Sequence, residues 1–288
     1  MILLPLLVAG CGGSAPDAST PTDETLQRET HAGRLAYELE RDEEAVTQFR
    51  AALTRAQERD DLDAIADNGY NLAVAELHAN VPDRALADAR ATRLELERRA
   101  AKPFPALQLA EATALYRTGA VTEADRMVQI AQHSEDAPAA ARATFLRGLI
   151  ADERDDLPGL ATAAGALNAA ETPPFEADAA ELGARLALRR GDAALARQRA
   201  ARAAELRQTT IDYRGLARAL ALEGAATERT GDKAAAADLF LRAGRSAAMQ
   251  GDKSDARVWL GRAASLAAGQ PVGRAAAGLM RGFNHDNH

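Results

Sequence analysis

The sequence predicts an all-α protein: a solenoid of antiparallel helix pairs, about six units followed by a capping helix. Three observations carry that expectation. The first is composition: 47% of the 288 residues are apolar, yet only 4% are aromatic, and 71 are alanine. Helices favour Ala, Leu, Arg and Glu, whereas sheets favour β-branched and aromatic residues, and small side chains suit helices packed close together. The second is period: beyond residue 22, apolar residues recur at spacings of 3 and 4, never in a sustained alternation. The third is a repeat of small residue, turn and apolar residue in fixed phase.

The phase is easily followed. From Gly33, twelve residues lead to Ala45, four more to Phe49 and three more to Ala52. The same steps from Ala73 reach Ala85, Ala89 and Thr92; from Ala112, Ala124, Val128 and Ala131; from Ala184, Ala196, Ala200 and Ala203. From Gly224 they reach Ala236, Phe240 and Ala243, and from Gly244, Ala256, Leu260 and Ala263. Seven residues after each start stands a turn residue: Glu40, Asn80, Gly119, Gly191, Gly231 and Gly251. The small residues are expected where two helices meet, since only Gly or Ala lets their backbones approach. The unit that starts at Gly148 is irregular, and its turn "RDDLPGL" is expected to slip the register by one.

This pattern resembles the tetratricopeptide repeat family over Asp23 to Ala268. The resemblance implies a right-handed superhelix whose first helices line a concave, partner-binding surface. Spacings of 36 to 40 residues exceed the family's usual 34, which predicts longer helices. Thr20-Pro21 reads as the N-cap and first residue of the first helix. Lys253 to Ala268, with Trp259, reads as the terminal cap; residues 269–288 read as a tail that forms at most a short helix. "GDK", twice, and its near-copy "GDA" at Gly191 read as turns in which Gly takes a left-handed conformation and Asp caps the next helix. A phosphate loop would need G-x-x-x-x-G-K-[ST] after a strand, and these copies lack it.

At the N-terminus, Ile2 to Ala9 is an apolar run too short to span a bilayer, of signal-peptide length. Val8-Ala9-Gly10-Cys11 resembles the bacterial lipobox. The resemblance implies a signal peptide over 1–11, lipid attachment at Cys11 and a Gly/Ser/Pro/Thr-rich tether over 12–22. It therefore predicts a lipid-anchored protein of the bacterial envelope, on the periplasmic face of the outer membrane. The alternative is a cytoplasmic regulatory or sensor module of the same fold.

Net charge is −7 and only three of the 35 basic residues are lysines, so no basic surface for nucleic acid is expected. The single cysteine rules out an intramolecular disulfide, and the scattered histidines show no metal spacing. Neither a nucleophile elbow nor a calcium loop appears. The expectation is a binding protein, not an enzyme, without cofactor or metal. On a helical stripe three before and one, four and five after each small start residue, the inner wall is read as Tyr37, Tyr70, His78, Leu109, Tyr116, Arg117 and Phe145, followed by the charged Glu181, Arg185, Arg189, Glu228 and Arg229. Tyr and Arg anchor interfaces through large rigid area and directional polar tips. The stripe therefore reads as a groove for a protein or peptide partner, its Arg and Glu setting the partner's register.

Overall fold

The computed structural model describes residues 23–132, 136–169, 175–210 and 212–285. Cys11, the lipobox, the tether and the expected Thr20-Pro21 cap lie outside the described residues. Among the described residues there are fourteen helices and no strand. They follow as seven pairs: α1 (Glu24–Glu38) and α2 (Asp42–Glu58), α3 (Leu62–His78) and α4 (Pro82–Arg98), α5 (Pro105–Arg117) and α6 (Val121–Gln132), and α7 (Ala137–Glu153) and α8 (Leu157–Ala169). The last three are α9 (Glu176–Arg189) and α10 (Ala193–Thr209), α11 (Tyr213–Arg229) and α12 (Lys233–Met249), and α13 (Lys253–Leu266) and α14 (Pro271–His285). The chain is an all-α helical-hairpin solenoid.

The helix ends are written in the local sequence. Asp23 caps α1, its Oδ1 accepting from the amides of Thr25 and Leu26 at 3.0 Å each. The Leu26 amide, joined by Arg55 and Arg59, holds that carboxyl down at about 2 despite its desolvation. Asp61, Asp192, Asp212, Asp232 and Asp252 cap α3, α10, α11, α12 and α13 in the same way. Proline opens α4, α5 and α7, where the missing amide hydrogen costs nothing.

All six expected turn residues have positive φ, from 56° at Glu40 to 94° at Gly231. The next amide reaches back to close each turn, as Arg41 N does to Ala36 O at 2.9 Å and Asp192 N to Ala187 O at 2.9 Å. Asp155 has φ 55°, seven residues after Gly148. The irregular unit therefore keeps its register: Leu160, Ala164 and Leu167, at the usual steps, are all buried. Asp60 and Ala100, between pairs, and Gly269, within the last pair, are also left-handed, so the turn device recurs between pairs as well as within them.

Packing follows the phase. The eighteen residues reached by the twelve-four-three steps are each 6% exposed or less. A β-carbon on Gly33 would lie 2.7 Å from the Phe49 ring, and one on Gly244 would lie 2.6 Å from Leu260 Cγ. Each large residue thus occupies the space its glycine leaves. Every helix packs on its successor, and α3, α5, α7, α9 and α11 also touch one another in sequence. The second helices α2 to α10 make no skipping contacts of that extent, so the first helices lie on the inside of the curve. At the end, α14 packs on both α13 and α12, with Ala276 fully buried, so the array continues one helix beyond Lys253–Leu266.

Two glycines separate close approach from mere tolerance. At Gly148 a β-carbon would overlap the fully buried Leu182 and meet Ala163 at 3.2 Å; at Gly224 it would lie 3.3 Å from Phe240. Gly148→Ala is predicted to destabilise by about 1–3 kcal/mol through overpacking. Gly224→Ala is predicted to fall within about 1 kcal/mol of wild type, helped by alanine's helix propensity. Urea unfolding followed by helical circular dichroism checks both; equal stabilities would contradict this packing.

Candidate functional site

The curve of first helices brings distant parts of the chain together. Asn80, in the α3–α4 turn, donates from Nδ2 to the carbonyl of Gly251, in the α12–α13 turn, at 2.6 Å. Arg214, on α11, donates to Asn80 Oδ1 at 3.2 Å and to the His78 carbonyl at 2.9 Å. Arg117, at the end of α5, donates to the Leu77 carbonyl at 2.6 Å and also to Asn80 Oδ1. These bonds form a seam across the inner channel, and no carboxylate takes part in it.

The seam divides two cavities that share Arg214 and Gln250. The first, about 670 Å³, lies among α5, α7, α11 and the α12–α13 turn. Its apolar wall is Leu109, Tyr116, Phe145, Leu146, Leu149 and Trp259. The second, about 820 Å³, opens between the α1–α2 and α3–α4 turns and α11–α12, past exposed Tyr213 and Met249.

Four of the residues expected on the inner wall, Leu109, Tyr116, Arg117 and Phe145, line the first cavity, and His78 lines the second. The others make contacts with neighbouring residues of the fold and line neither. Tyr37 stands edge-on to His78 with ring centroids 5.2 Å apart, and Tyr70 edge-on to Phe104 at 5.9 Å. His78 Nδ1 lies 2.7 Å from Asp42. Arg185 pairs with Asp152 at 2.8 Å and Glu181 at 3.0 Å. Arg189 pairs with Asp152 at 2.7 Å and with Asp155. Arg185 and Arg189 thus tie α7 to α9, while Glu228 pairs with Arg262 and Arg229 donates to the Leu188 carbonyl at 2.8 Å.

Sequence reasoning missed Asn80 as a wall residue, and missed Arg142, Arg214 and Arg218. Arg142 and Arg218 stand six before Gly148 and Gly224, one helical turn beyond the stripe that was read, and Arg214 one turn further. Carrying the stripe back along the longer helices would have found them.

The wall's electrostatics are set by burial. Glu181 is fully buried, which alone would push its carboxyl up; the guanidiniums of Arg218, Arg185 and Arg207 outweigh this and hold it well below the carboxylate range. Arg218 and Arg207 in turn lie over the Phe145 ring, 5.9 and 5.7 Å from its centroid. Burial pushes the Tyr116 phenol up to about 12, with Glu153 adding to it against the pull of Arg185. Arg117 is driven down to about 10 by burial and by the neighbouring charge of Arg214. Among the described residues, no group of three or more metal-binding side chains is assembled, and no helix is long and apolar enough to cross a membrane.

No known protein family and no curated protein matches the sequence. Among solved structures, the chain is similar to a tetratricopeptide repeat protein from Parabacteroides merdae ATCC 43184 at 14% identity and a TM-score of 0.49, covering 90% of this chain and all of that one. It is also similar to the TPR2AB domain of yeast Sti1, solved in complex with pHSP90, at 16% identity and a TM-score of 0.37, covering 89% of this chain and 97% of that one. These likenesses are loose; the class, a tetratricopeptide-like solenoid, rests on the helix order and packing above.

A second buried glutamate stands one turn before the seam. Glu76 receives Arg50 at 2.5 Å, and Arg50 also binds Asp88 at 2.7 Å. Burial, then the adjoining Asp88, raises the Glu76 carboxyl to about 7. A carboxyl raised in the fold contributes stability below its unfolded value near 4.5, and that contribution is lost as pH rises through about 7. Glu76→Gln removes the buried charge and leaves Arg50 its Asp88 partner. It is predicted to raise Tm by about 2–4 °C at pH 8 and by less at pH 5. Thermal unfolding at the two pH values checks this; a larger gain at pH 5 would contradict it.

Proposed function

We propose that this chain is a binding protein that captures a segment of a partner protein against the first-helix wall. The observation that carries the reading is the first cavity, where half-buried Tyr116, Phe145 and Trp259 stand beside arginines. Aromatic residues and Arg concentrate at the energetic centres of interfaces, because they give large rigid contact area with directed polar tips. The seam supports the same reading. Its hydrogen bonds end on neutral carbonyl and amide oxygens, each worth about 1.5–3 kcal/mol when the donor is charged. The repeats themselves are joined by buried ion pairs that cost more to break. A partner segment therefore gains the channel by opening the seam while the hairpins stay intact.

The N-terminal sequence supports the anchored form of this function. A lipid on Cys11 and the tether that follows would hold the solenoid at an envelope membrane and raise the local concentration of binding sites there. The role is that of a scaffold or adaptor in envelope assembly, with no catalytic step assigned to it.

A photoreactive residue in place of Tyr116, activated in cells, is predicted to yield one discrete crosslinked protein in the membrane fraction. The same residue placed at exposed Ile130, on α6, is predicted to yield none of it. In the same cells Cys11→Ser is predicted to move the protein to the soluble fraction. Equal capture from both positions would overturn the partner reading, and wild-type protein in the soluble fraction would overturn the anchor.

A further inference from the structure

The first cavity holds more positive charge than the fold uses. Five cationic side chains line it, Arg117, Arg142, Arg214, Arg218 and Lys253, against three carboxylates, Glu153, Asp252 and Asp255. Arg218 is accounted for by Glu181, at 3.1 Å. The other arginines are not. Arg117 and Arg214 converge on one neutral acceptor, Asn80 Oδ1, and among the described residues neither has a carboxylate within ion-pair distance. Arg142 lines the rim of the wall, exposed to solvent, and has no hydrogen-bond or carboxylate partner among the described residues. Asp252 gives its Oδ1 to the Asp255 amide as the cap of α13, and burial and Asp252 raise the Asp255 carboxyl above its usual range. Asp252 and Asp255 pull on Arg117, and Asp252 on Arg214, only from beyond ion-pair distance, so none of the three guanidiniums has a direct carboxylate partner among the described residues.

Gathering guanidiniums in a pocket without direct ion pairs is unfavourable, and Arg117, depressed by burial and then by Arg214 despite the pull of Asp252 and Asp255, registers that cost. Guanidinium forks match the geometry of carboxylate and phosphate oxygens. The volume, about 670 Å³, falls in the range of small-molecule sites. The seam closes one side, and the aromatic and aliphatic wall offers a dry surface next to the charges. We propose that this cavity is a binding site for a small organic anion, its oxyanion head held by Arg117, Arg142 and Arg214 and its apolar body laid against Tyr116, Phe145 and Trp259. This goes beyond capture of a protein partner and does not depend on it. An anion seated there neutralises the arginines on both sides of the seam, and so favours the closed channel.

Trp259 is the chain's single tryptophan and lines the cavity, so its emission reports on an occupant. Full-length protein is titrated with phenylacetate and with phenyl phosphate, which carry the two candidate head groups on one apolar body, and with neutral phenylacetamide. The expected result is a saturable change in Trp259 emission with at least one anion and none with the amide over the same range. The anion that binds more tightly identifies the head group. Arg142→Gln is expected to weaken binding about tenfold or more, the loss of one charged hydrogen bond, with helical circular dichroism unchanged. Arg142→Lys is expected to retain more binding than Gln. No saturable change with either anion, an amide response equal to theirs, or wild-type affinity in folded Arg142→Gln would each overturn the proposal. Anion binding in protein that captures no partner leaves this site standing, whereas partner capture without anion binding removes it alone.

Discussion

Close approach between neighbouring helices is the constraint on which the rest of this structure depends. Gly33, Gly148 and Gly244 leave room that Phe49, Leu182 and Leu260 then fill. The positions facing these crossings are mostly alanines with no exposed surface, among them Ala45, Ala52, Ala196 and Ala203. Alanine allows closeness but buries little apolar area, and burial scales with area. A core so built needs further ties between repeats. Glu111 and Glu181 supply them: each is fully buried on a first helix and is met by arginines of a neighbouring pair, Arg90 with Arg93 on α4, and Arg218 on α11. The abundance of arginine therefore has a structural use. Its planar fork can satisfy a buried carboxylate from the side, where a lysine would offer a point charge.

Curvature follows from the same packing. First helices touch across the hairpins while second helices fan outward, so each repeat adds a small rotation in one sense. Seven pairs suffice to bring the α3–α4 turn against the α12–α13 turn, 171 residues away. The inner face thereby becomes an enclosed channel instead of an open groove. Enclosure gives half-buried arginines and aromatics a common space, with the Asn80 seam at its edge.

The hairpin architecture was legible because it is local. A small residue, a turn seven on and a second helix twelve on are consequences of helix length and αL geometry, and they survive in a single sequence. Even the left-handed positions at Glu40 and Asn80, which lack glycine, were found by phase alone. Asp60 and Ala100 were not, because turns were sought only seven residues after a small start residue. The site was less legible. Helical spacing places a residue on a face but does not name what it meets there: Arg185 and Arg189 were read as open to a partner, yet Asp152 and Glu181 take them. Channel closure was beyond reach of any local rule, since it sums angles over the whole array. With it went the role of Asn80, which in the sequence is only a turn residue.

The account turns on that closure, and one crosslink tests it directly. A β-carbon at Gly251 would lie 3.7 Å from Asn80 Nδ2. Cysteines at both positions, in a Cys11→Ser background, should therefore join within a single chain under mild oxidation or with a short thiol-reactive crosslinker. The seam predicts rapid, intramolecular, monomeric crosslinking, slowed by urea as the helices unfold. Free thiols under native conditions, or crosslinks formed only between molecules, would mean an open solenoid in solution and would contradict the enclosed channel.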